Sequence, residues 1–301
     1  MVSKTKLKAS DRLRALIRKS DVIIVPGVFN AITARLAQRV GFQALYFSGG
    51  ALANSMALPD LGVTTLSEVV ENVVQITRVV NAPLIVDGDT GFGEAVNVMR
   101  AIQMLEDVGV AAVHIEDQVL PKKCGHLPGK MLVDTSEMVK KLLVALESRK
   151  RNIVLIARTD ARAVEGLDGA IERARSYAKA GADVIFPEAL ESKEEFGEFA
   201  KKVPGVLMAN MTEYGKTPYL RASEFGELGY KIVVFPMTAF RAMLKATEGV
   251  YTELKKNGTQ IRLLPEMMSR EQVYDLIGYY DFVKADDVAL RKAKRILESD
   301  Q

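Results

Sequence analysis

The sequence is poor in cysteine: its 301 residues include one, Cys124. A single cysteine cannot form a disulfide within the chain, which excludes the disulfide-stabilised architecture of many small secreted proteins. Because free thiols are typical of the reducing cytoplasm, the cytoplasm is the predicted compartment.

Long apolar runs and an excess of one charge are also absent. No apolar stretch approaches the roughly 18 residues of a membrane-spanning helix, and the basic segment 1–21 lacks the apolar centre of a signal peptide. The 41 lysines and arginines are nearly matched by 38 acidic residues, which leaves a net charge of +3 spread along the chain. The composition therefore predicts neither a nucleic-acid partner nor a membrane partner.

No low-complexity linker divides the chain, and its 48% hydrophobic content is sufficient for a large core. Eight short apolar runs, rich in β-branched residues, predict strands that are buried on both faces. These runs are Val22–Pro26, Ala44–Phe47, Leu84–Val86, Ala111–Ile115, Ile153–Ala157, Asp183–Phe186, Val206–Ala209 and Lys231–Phe235.

Helical patterns lie between these runs, and glycines such as Gly41 and Gly181 end helices before strands. Eight alternating units favour an α/β fold of the (β/α)8 TIM-barrel type over a doubly wound sheet. We predict one barrel domain over 1–301, with an extra N-terminal helix near Ser10–Ser20. Residues 237–301 are predicted to form a helical C-terminal extension.

Polar residues follow the predicted strands, where barrel enzymes carry their chemistry. Asp87 and Asp89 follow the third strand and suit a hard divalent cation, Mg²⁺ or Mn²⁺; a plain turn is the alternative. Ser48, Gly49 and Gly50 follow the second strand, where glycine lets backbone N–H groups approach a carboxylate or phosphate. An ordinary turn would have the same composition.

Arg158 follows the fifth predicted strand, and Arg241 and Arg270 lie beyond the eighth. Arginine suits bidentate binding of a carboxylate, although structural ion pairs are the alternative. The polar residues of this region are Arg158, Glu188, Asn210, Thr212, Arg241 and Arg270. They predict an anionic, oxygen-rich substrate.

The loop Pro121–Lys130 contains the cysteine, with Lys122 and Lys123 before it and His126 after it. Cationic neighbours predict a pKa of the Cys124 thiol below its free value of about 8.5. The alternative is an inert thiol on a surface loop. Combined with the acidic cluster, the thiol predicts proton-transfer chemistry.

Together these stretches resemble the isocitrate lyase and phosphoenolpyruvate mutase superfamily, and within it the methylisocitrate lyases. The resemblance covers nearly the whole chain and rests on Tyr46–Gly50, Leu58–Gly62, Asp87–Gly93, His114–Gln118, Lys122–His126, Ala157–Ala161, Phe186–Ala189 and Ala239–Met243. It implies a homotetramer of barrels that exchange a helix between subunits. It also implies Mg²⁺-dependent cleavage of the tricarboxylate 2-methylisocitrate to pyruvate and succinate, a step of propionate breakdown in the 2-methylcitrate cycle.

The resemblance also implies roles for individual residues. Asp87 and Asp89 are expected to bind Mg²⁺, and Glu116 and Asp60 to hold metal-bound water. Cys124 is expected to be the general acid that protonates the departing succinate. Lys122 and His126 are expected to tune and position this thiol. The expected substrate contacts are Ser48, Gly49, Gly50, Gly125, Arg158, Glu188, Asn210, Thr212, Arg241 and Arg270. Tyr46 and metal-held water are both candidates for removing the hydroxyl proton.

Other activities stay open at this point. Leu127 and Gly129 stand where methylisocitrate lyases often carry arginine and asparagine, so isocitrate or an alkylmalate such as 2,3-dimethylmalate is an alternative substrate. Phe186 stands where isocitrate lyases carry tryptophan, and its smaller ring leaves room for an extra methyl group. An inactive barrel that binds a metabolite is the non-enzymatic alternative, and the presence of Asp87, Asp89 and Cys124 argues against it.

Overall fold

The computed structural model describes residues 7–299, and within this range eight parallel strands form a closed barrel in the order β1 to β8, with β8 paired to β1. The strands are β1 Ile23–Val28, β2 Leu45–Phe47, β3 Leu84–Asp87, β4 Ala112–Glu116, β5 Val154–Thr159, β6 Val184–Pro187, β7 Val206–Asn210 and β8 Tyr230–Phe235. Each overlaps a predicted strand, so the predicted (β/α)8 barrel is confirmed.

Helices connect the strands and extend the chain at both ends. They are α1 Ala9–Lys19, α2 Ala31–Val40, α3 Gly49–Ser55, α4 Leu66–Thr77, α5 Ala95–Asp107, α6 Thr135–Ser148, α7 Arg162–Ala180, α8 Lys193–Lys202, α9 Ala222–Glu227, α10 Thr238–Asn257, α11 Arg270–Ile277 and α12 Tyr279–Ser299, with a 3₁₀ helix at Ile261–Glu266. The helix α1 corresponds to the predicted N-terminal helix. No helix among residues 7–299 combines the length and apolarity needed to cross a membrane.

Alternate side chains of each strand enter two different cores, because successive residues of a strand point to opposite faces. Tyr46 belongs to the cluster inside the barrel, whereas its neighbours Leu45 and Phe47 pack in the layer between strands and helices. Leu13 of α1 joins the interior cluster and is fully buried. The first helix therefore contributes to the core of the barrel itself.

A carboxylate fixes α1 to the strands. Asp183 accepts hydrogen bonds from Arg14 of α1 at 2.9 and 3.0 Å, from Arg149 at 2.7 Å, and from the backbone N–H of Leu155 at 2.9 Å. Since hydrogen bonds to a charged group each contribute about 1.5–3 kcal/mol, this cluster holds the region before β6 rigidly.

The chain forms two compact units, one ending at Ala242 and the other beginning at Met243. The second unit contains most of α10, the 3₁₀ helix, α11 and α12. Helix α11 ends after Ile277 because Gly278 has a left-handed backbone (φ 72°). The single domain over 1–301 and the exchange of a helix between subunits stay predictions.

Candidate active site

The strand ends surround a cavity of about 280 Å³ within the first unit. Twelve of the predicted site residues line it: Ser48, Gly50, Asp87, Lys122, Cys124, Gly125, His126, Arg158, Glu188, Asn210, Thr212 and Arg241. Gly49 and Asp89 lie directly beside them, since the Gly49 N–H donates to Asp87 Oδ2 at 3.1 Å and Asp89 Oδ1 lies 2.7 Å from Lys122 Nζ. Arg270 is exposed at the start of α11, in the second unit.

The two glycines that follow Ser48 allow the chain to pass close to the acidic residues. A Cβ atom at Gly49 would lie 3.0 Å from the carboxylate of Asp87, and one at Gly50 would lie 3.0 Å from Asp60 Oδ2. Ser48 caps α3 by accepting a hydrogen bond from the N–H of Ala51 at 3.2 Å. The two glycines therefore let the chain pass close to its own carboxylates, and the approach of their N–H groups to a substrate carboxylate or phosphate stays a prediction.

A cluster of buried acids lies at the ends of β3 and β4. Burial opposes ionisation of Asp87, but His114 and Lys122 outweigh it and hold its pKa well below its ordinary value. Burial, together with the charge of Asp87, raises the pKa of Asp89 against the opposing effect of Lys122. Burial raises the pKa of Glu116 well above its ordinary value.

Lys122 supplies positive charge to this acidic cluster. Its ammonium group contacts Asp60 as well as Asp89, and its side chain is 5% exposed. Both carboxylate oxygens of Glu116 are buried without a hydrogen-bond partner in the described part of the chain, although Arg158 Nε lies 3.3 Å from Oε2. Across residues 7–299, no group of three or more His, Cys, Asp or Glu side chains could hold a metal ion. Any metal here would therefore need oxygen atoms from water or substrate.

The environment of Cys124 contradicts the predicted pKa of its thiol. Burial raises that pKa, and the negative charge of Glu188 adds to the increase, although the His126 backbone N–H favours the thiolate. The flanking lysines do not stabilise a thiolate because their ammonium groups are paired elsewhere: Lys122 binds acids, and Lys123 donates to the carbonyl of Gly129 at 2.9 Å. The prediction of a lowered pKa was wrong, and the thiol stays protonated at neutral pH.

His126 lies between the cysteine loop and β6. Its Nδ1 accepts a hydrogen bond from the backbone N–H of Lys216 at 3.0 Å, so in the neutral ring the proton is on Nε2, which lies 3.3 Å from Glu188 Oε1. Burial opposes ionisation of Glu188, but Arg158 and His126 outweigh it and lower its pKa to about 2. A Cβ atom at Gly125 would lie 2.2 Å from Glu188 Cγ, which only glycine avoids.

Both arginines that line the cavity already have partners. Arg158 donates to Asp160 from Nε at 2.9 Å and from Nη2 at 3.1 Å. Arg241 donates from Nη1 to the backbone oxygen of Glu213 at 2.8 Å and to its Oε2 at 2.7 Å. The structural ion pairs that were the alternative are therefore present for both arginines, and substrate binding by these side chains stays a prediction.

Residues 13–255 match the family model described as phosphoenolpyruvate phosphomutase. The chain belongs to this family. A 2-methylisocitrate lyase of Aeropyrum pernix is 55% identical to it over 285 residues, covering 95% of this chain and 92% of that protein. The predicted superfamily membership and the predicted enzyme class, a carbon–carbon lyase, are confirmed.

Solved structures agree with this phosphoenolpyruvate phosphomutase family assignment. The crystal structure of 2,3-dimethylmalate lyase superimposes with a TM-score of 0.88 at 36% identity, covering 94% of this chain and 96% of that one. Phosphonopyruvate hydrolase in complex with oxalate and Mg²⁺ gives a TM-score of 0.85 at 29% identity, covering 93% and 99%.

One central residue of this family member was not predicted from the sequence. His114 is fully buried, and its Nε2 lies 2.7 Å from the hydroxyl of Tyr46 and 3.1 Å from Asp87 Oδ1. Burial and the charge of Asp87 raise the pKa of Tyr46 well above 10. The alternation of β4 was an available signal, because it places His114 on the same side of the strand as Glu116.

Proposed function

We propose that this chain cleaves 2-methylisocitrate to pyruvate and succinate. The observation that carries the proposal is that the protonated thiol of Cys124 and the carboxylate of Asp87 line the same cavity. Cleavage of this substrate needs a proton donor for the departing succinate and a site that stabilises charge on the pyruvate-forming half. The 55% identity to a protein named 2-methylisocitrate lyase supports the same substrate.

Cys124 is the proposed general acid. Breaking the carbon–carbon bond leaves an electron pair on the succinate-forming carbon, and the thiol transfers its proton from Sγ to that carbon. A buried thiol with a raised pKa is suited to this step because it holds its proton until a strong base forms beside it. His126 and Glu188 line the same cavity as the thiol.

Removal of the substrate hydroxyl proton has two candidate acceptors, Tyr46 and metal-held water. Burial disfavours the phenolate of Tyr46, so its neutral hydroxyl is suited to orienting the substrate oxygen. Its hydrogen bond to His114, at 2.7 Å, fixes the direction of that hydroxyl. This environment argues against Tyr46 as the acceptor of the proton.

The acidic residues fit a bound Mg²⁺, with Mn²⁺ as a substitute. Hard oxygen ligands are those that these cations prefer, and both carboxylate oxygens of Glu116 are buried without a hydrogen-bond partner in the described part of the chain, which supports a cation or its bound water beside them. Asp87 and Asp89 would hold the cation directly, with Glu116 and Asp60 bonded to its water. When bound, it would stabilise negative charge that develops on the pyruvate-forming half. The Mg²⁺ complex of a family neighbour supports this proposal.

A second candidate is an alkylmalate such as 2,3-dimethylmalate. The solved 2,3-dimethylmalate lyase, which superimposes with a TM-score of 0.88, supports it. The ion pair between Arg241 and Glu213 also supports it, because the positive charge of Arg241 is then already neutralised and is not left for a third substrate carboxylate. A charge-assisted contact of about 1.5–3 kcal/mol corresponds to a ten- to hundredfold preference. Isocitrate is a further alternative, since one methyl group changes transition-state binding by only about 1–3 kcal/mol.

The experiment compares kcat/KM for 2-methylisocitrate, isocitrate and 2,3-dimethylmalate under identical conditions. A preference of at least tenfold for 2-methylisocitrate supports the proposed function. A preference for the dicarboxylate would keep Cys124 as the acid and would favour the alkylmalate alternative.

We further propose a homotetramer in the cytoplasm that acts in propionate breakdown. Large apolar side chains of the second unit are exposed in the single chain, among them Phe282 at 75% and Leu297 at 71%. Contact with another subunit would remove them from water, as the predicted exchange of a helix requires. Sedimentation of the purified protein tests the tetramer, and a monomeric particle would contradict it.

A further inference from the structure

The cysteine loop, residues 121–130, leaves β4 and returns toward α6. Gln118 forms an isolated antiparallel bridge with Leu132, and the N–H of Val119 donates to the oxygen of Met131 at 2.8 Å. These contacts close the base of the loop. They lie several residues from the thiol, so they do not by themselves fix its position over the cavity.

Gln118 holds the backbone on one side of Cys124. Its side chain is bonded twice to Lys123: Oε1 accepts from the backbone N–H at 2.9 Å, and Nε2 donates to the carbonyl at 2.8 Å. Gln118 is 1% exposed. A neutral amide is suited to this position because it satisfies a peptide donor and a peptide acceptor at once.

Lys130 holds the backbone on the other side. Its ammonium group donates to the carbonyl of Gly125 and to Asp160 Oδ1, the latter at 3.0 Å. The side chain is 1% exposed, and Asp160 is completely buried. An ammonium group removed from water is costly unless it is paired, so burial strongly favours the contact that Lys130 makes with the loop.

The same carboxylate connects the loop with the arginine of the cavity. Asp160 accepts from Lys130 and also binds Arg158 with both oxygens. Its own backbone N–H donates to Asp117 Oδ1 at 2.9 Å, and Asp117 is fully buried. The loop carbonyl at Gly125 is therefore bonded, through Lys130, to a group that the barrel holds in place.

We propose that Gln118 and Lys130 are positioning residues that hold the peptide groups on both sides of Cys124, so that the thiol points into the cavity. The inference deepens the proposed function and rests on it, because it explains how the proton donor of that reaction is aimed. Neither residue lines the cavity. Both act on the substrate only through the cysteine loop.

The test uses the fact that Cys124 is the only cysteine of the chain. The full-length protein and its Lys130→Met and Gln118→Leu variants are alkylated with iodoacetamide at one fixed pH, without substrate, and followed by mass spectrometry. We expect each variant to react about tenfold faster, since losing a buried polar contact has an effect of that order. Loss of the Lys130 charge alone would favour the thiol over the thiolate and slow the alkylation. Faster alkylation therefore indicates release of the loop, and slower alkylation indicates only the lost charge.

The second measurement is steady-state turnover of 2-methylisocitrate. Each variant is expected to lower kcat about tenfold or more while KM changes less than twofold, because the loop acts on proton transfer and not on the carboxylates of the substrate. The matched controls are Lys140→Met, whose side chain is 53% exposed, and Gln75→Leu, which is also exposed. Both controls are expected to match the wild type in alkylation and in turnover.

Unchanged or slower alkylation in a folded variant would overturn the proposal, as would faster alkylation with unchanged kcat. Circular dichroism and the melting temperature identify a variant that fails to fold. The variant that folds then tests the proposal, because Gln118 and Lys130 each bond to the loop independently and the same result is expected for both. Alkylation needs no turnover, so faster alkylation in a protein that does not cleave 2-methylisocitrate would retain the loop anchors and reject the proposed substrate.

Discussion

Replacing Cys124 with serine removes the proposed proton donor and changes little else. The side chain lies in a half-buried position where the backbone N–H of His126 can still bond to a serine oxygen. A serine hydroxyl is a far weaker acid than a thiol, so it transfers a proton to the departing succinate poorly. General acid catalysis contributes about 10²–10⁴-fold, which corresponds to about 2.7–5.4 kcal/mol of transition-state stabilisation. The expected kcat of Cys124→Ser is therefore lower than that of the wild type by this factor.

The assay couples pyruvate formation to NADH oxidation by lactate dehydrogenase, with 2-methylisocitrate and Mg²⁺ in excess. Binding of the substrate to Cys124→Ser is measured by calorimetry and is expected to change less than threefold, since Arg158 and Arg241 are untouched. A kcat within threefold of the wild type would refute the acid role. A loss of binding equal to the loss of kcat would show that the thiol positions the substrate rather than protonating it.

Three further predictions follow from individual contacts. Because burial raises the pKa of Cys124, the rate of its alkylation should rise with pH to a midpoint above the ordinary value of about 8.5; a midpoint below that value would refute the account of its environment. Phe186 is fully buried and borders the cavity together with Val234, so Phe186→Trp should lower kcat/KM for 2-methylisocitrate more than for isocitrate, and equal losses would contradict this pocket. Glu106 accepts hydrogen bonds from the backbone N–H groups of Lys150, Arg151 and Ile153 at 2.6, 3.0 and 2.9 Å. Glu106→Gln should therefore lower the free energy of unfolding, measured by urea titration, by about 2–4 kcal/mol. The control Glu71→Gln, at an exposed position, should leave it unchanged.

Much of the barrel could be predicted from local sequence. Runs such as Ile153–Ala157 are apolar on both faces, which is typical of parallel strands covered by helices, and glycines mark the helix ends. Parallel strands also bring their carboxyl ends to one mouth, so Asp87, Arg158 and Glu188 were expected together although they are distant in the chain. Helix ends inside periodic segments were harder, as the left-handed turn at Gly278 shows.

The electrostatics of the site could not be predicted, because its partners come from distant segments. Two lysines beside Cys124 suggested a lowered pKa, yet Lys122 binds Asp60, which is 62 residues earlier in the sequence. The contact between Tyr46 and His114 spans 68 residues, and that between Lys130 and Asp160 spans 30. Sequence neighbours indicate which groups are present, while the closed barrel decides which of them meet.

The most direct test of the account is to follow pyruvate and succinate together while the purified enzyme acts on 2-methylisocitrate, first with a chelator and then with Mg²⁺ restored. We predict that both products form in equal amounts with Mg²⁺, and that the chelator stops their formation until the metal is returned. Equal rates with and without chelator would contradict the role of Asp87 and Asp89, and the absence of both products would contradict the proposed reaction.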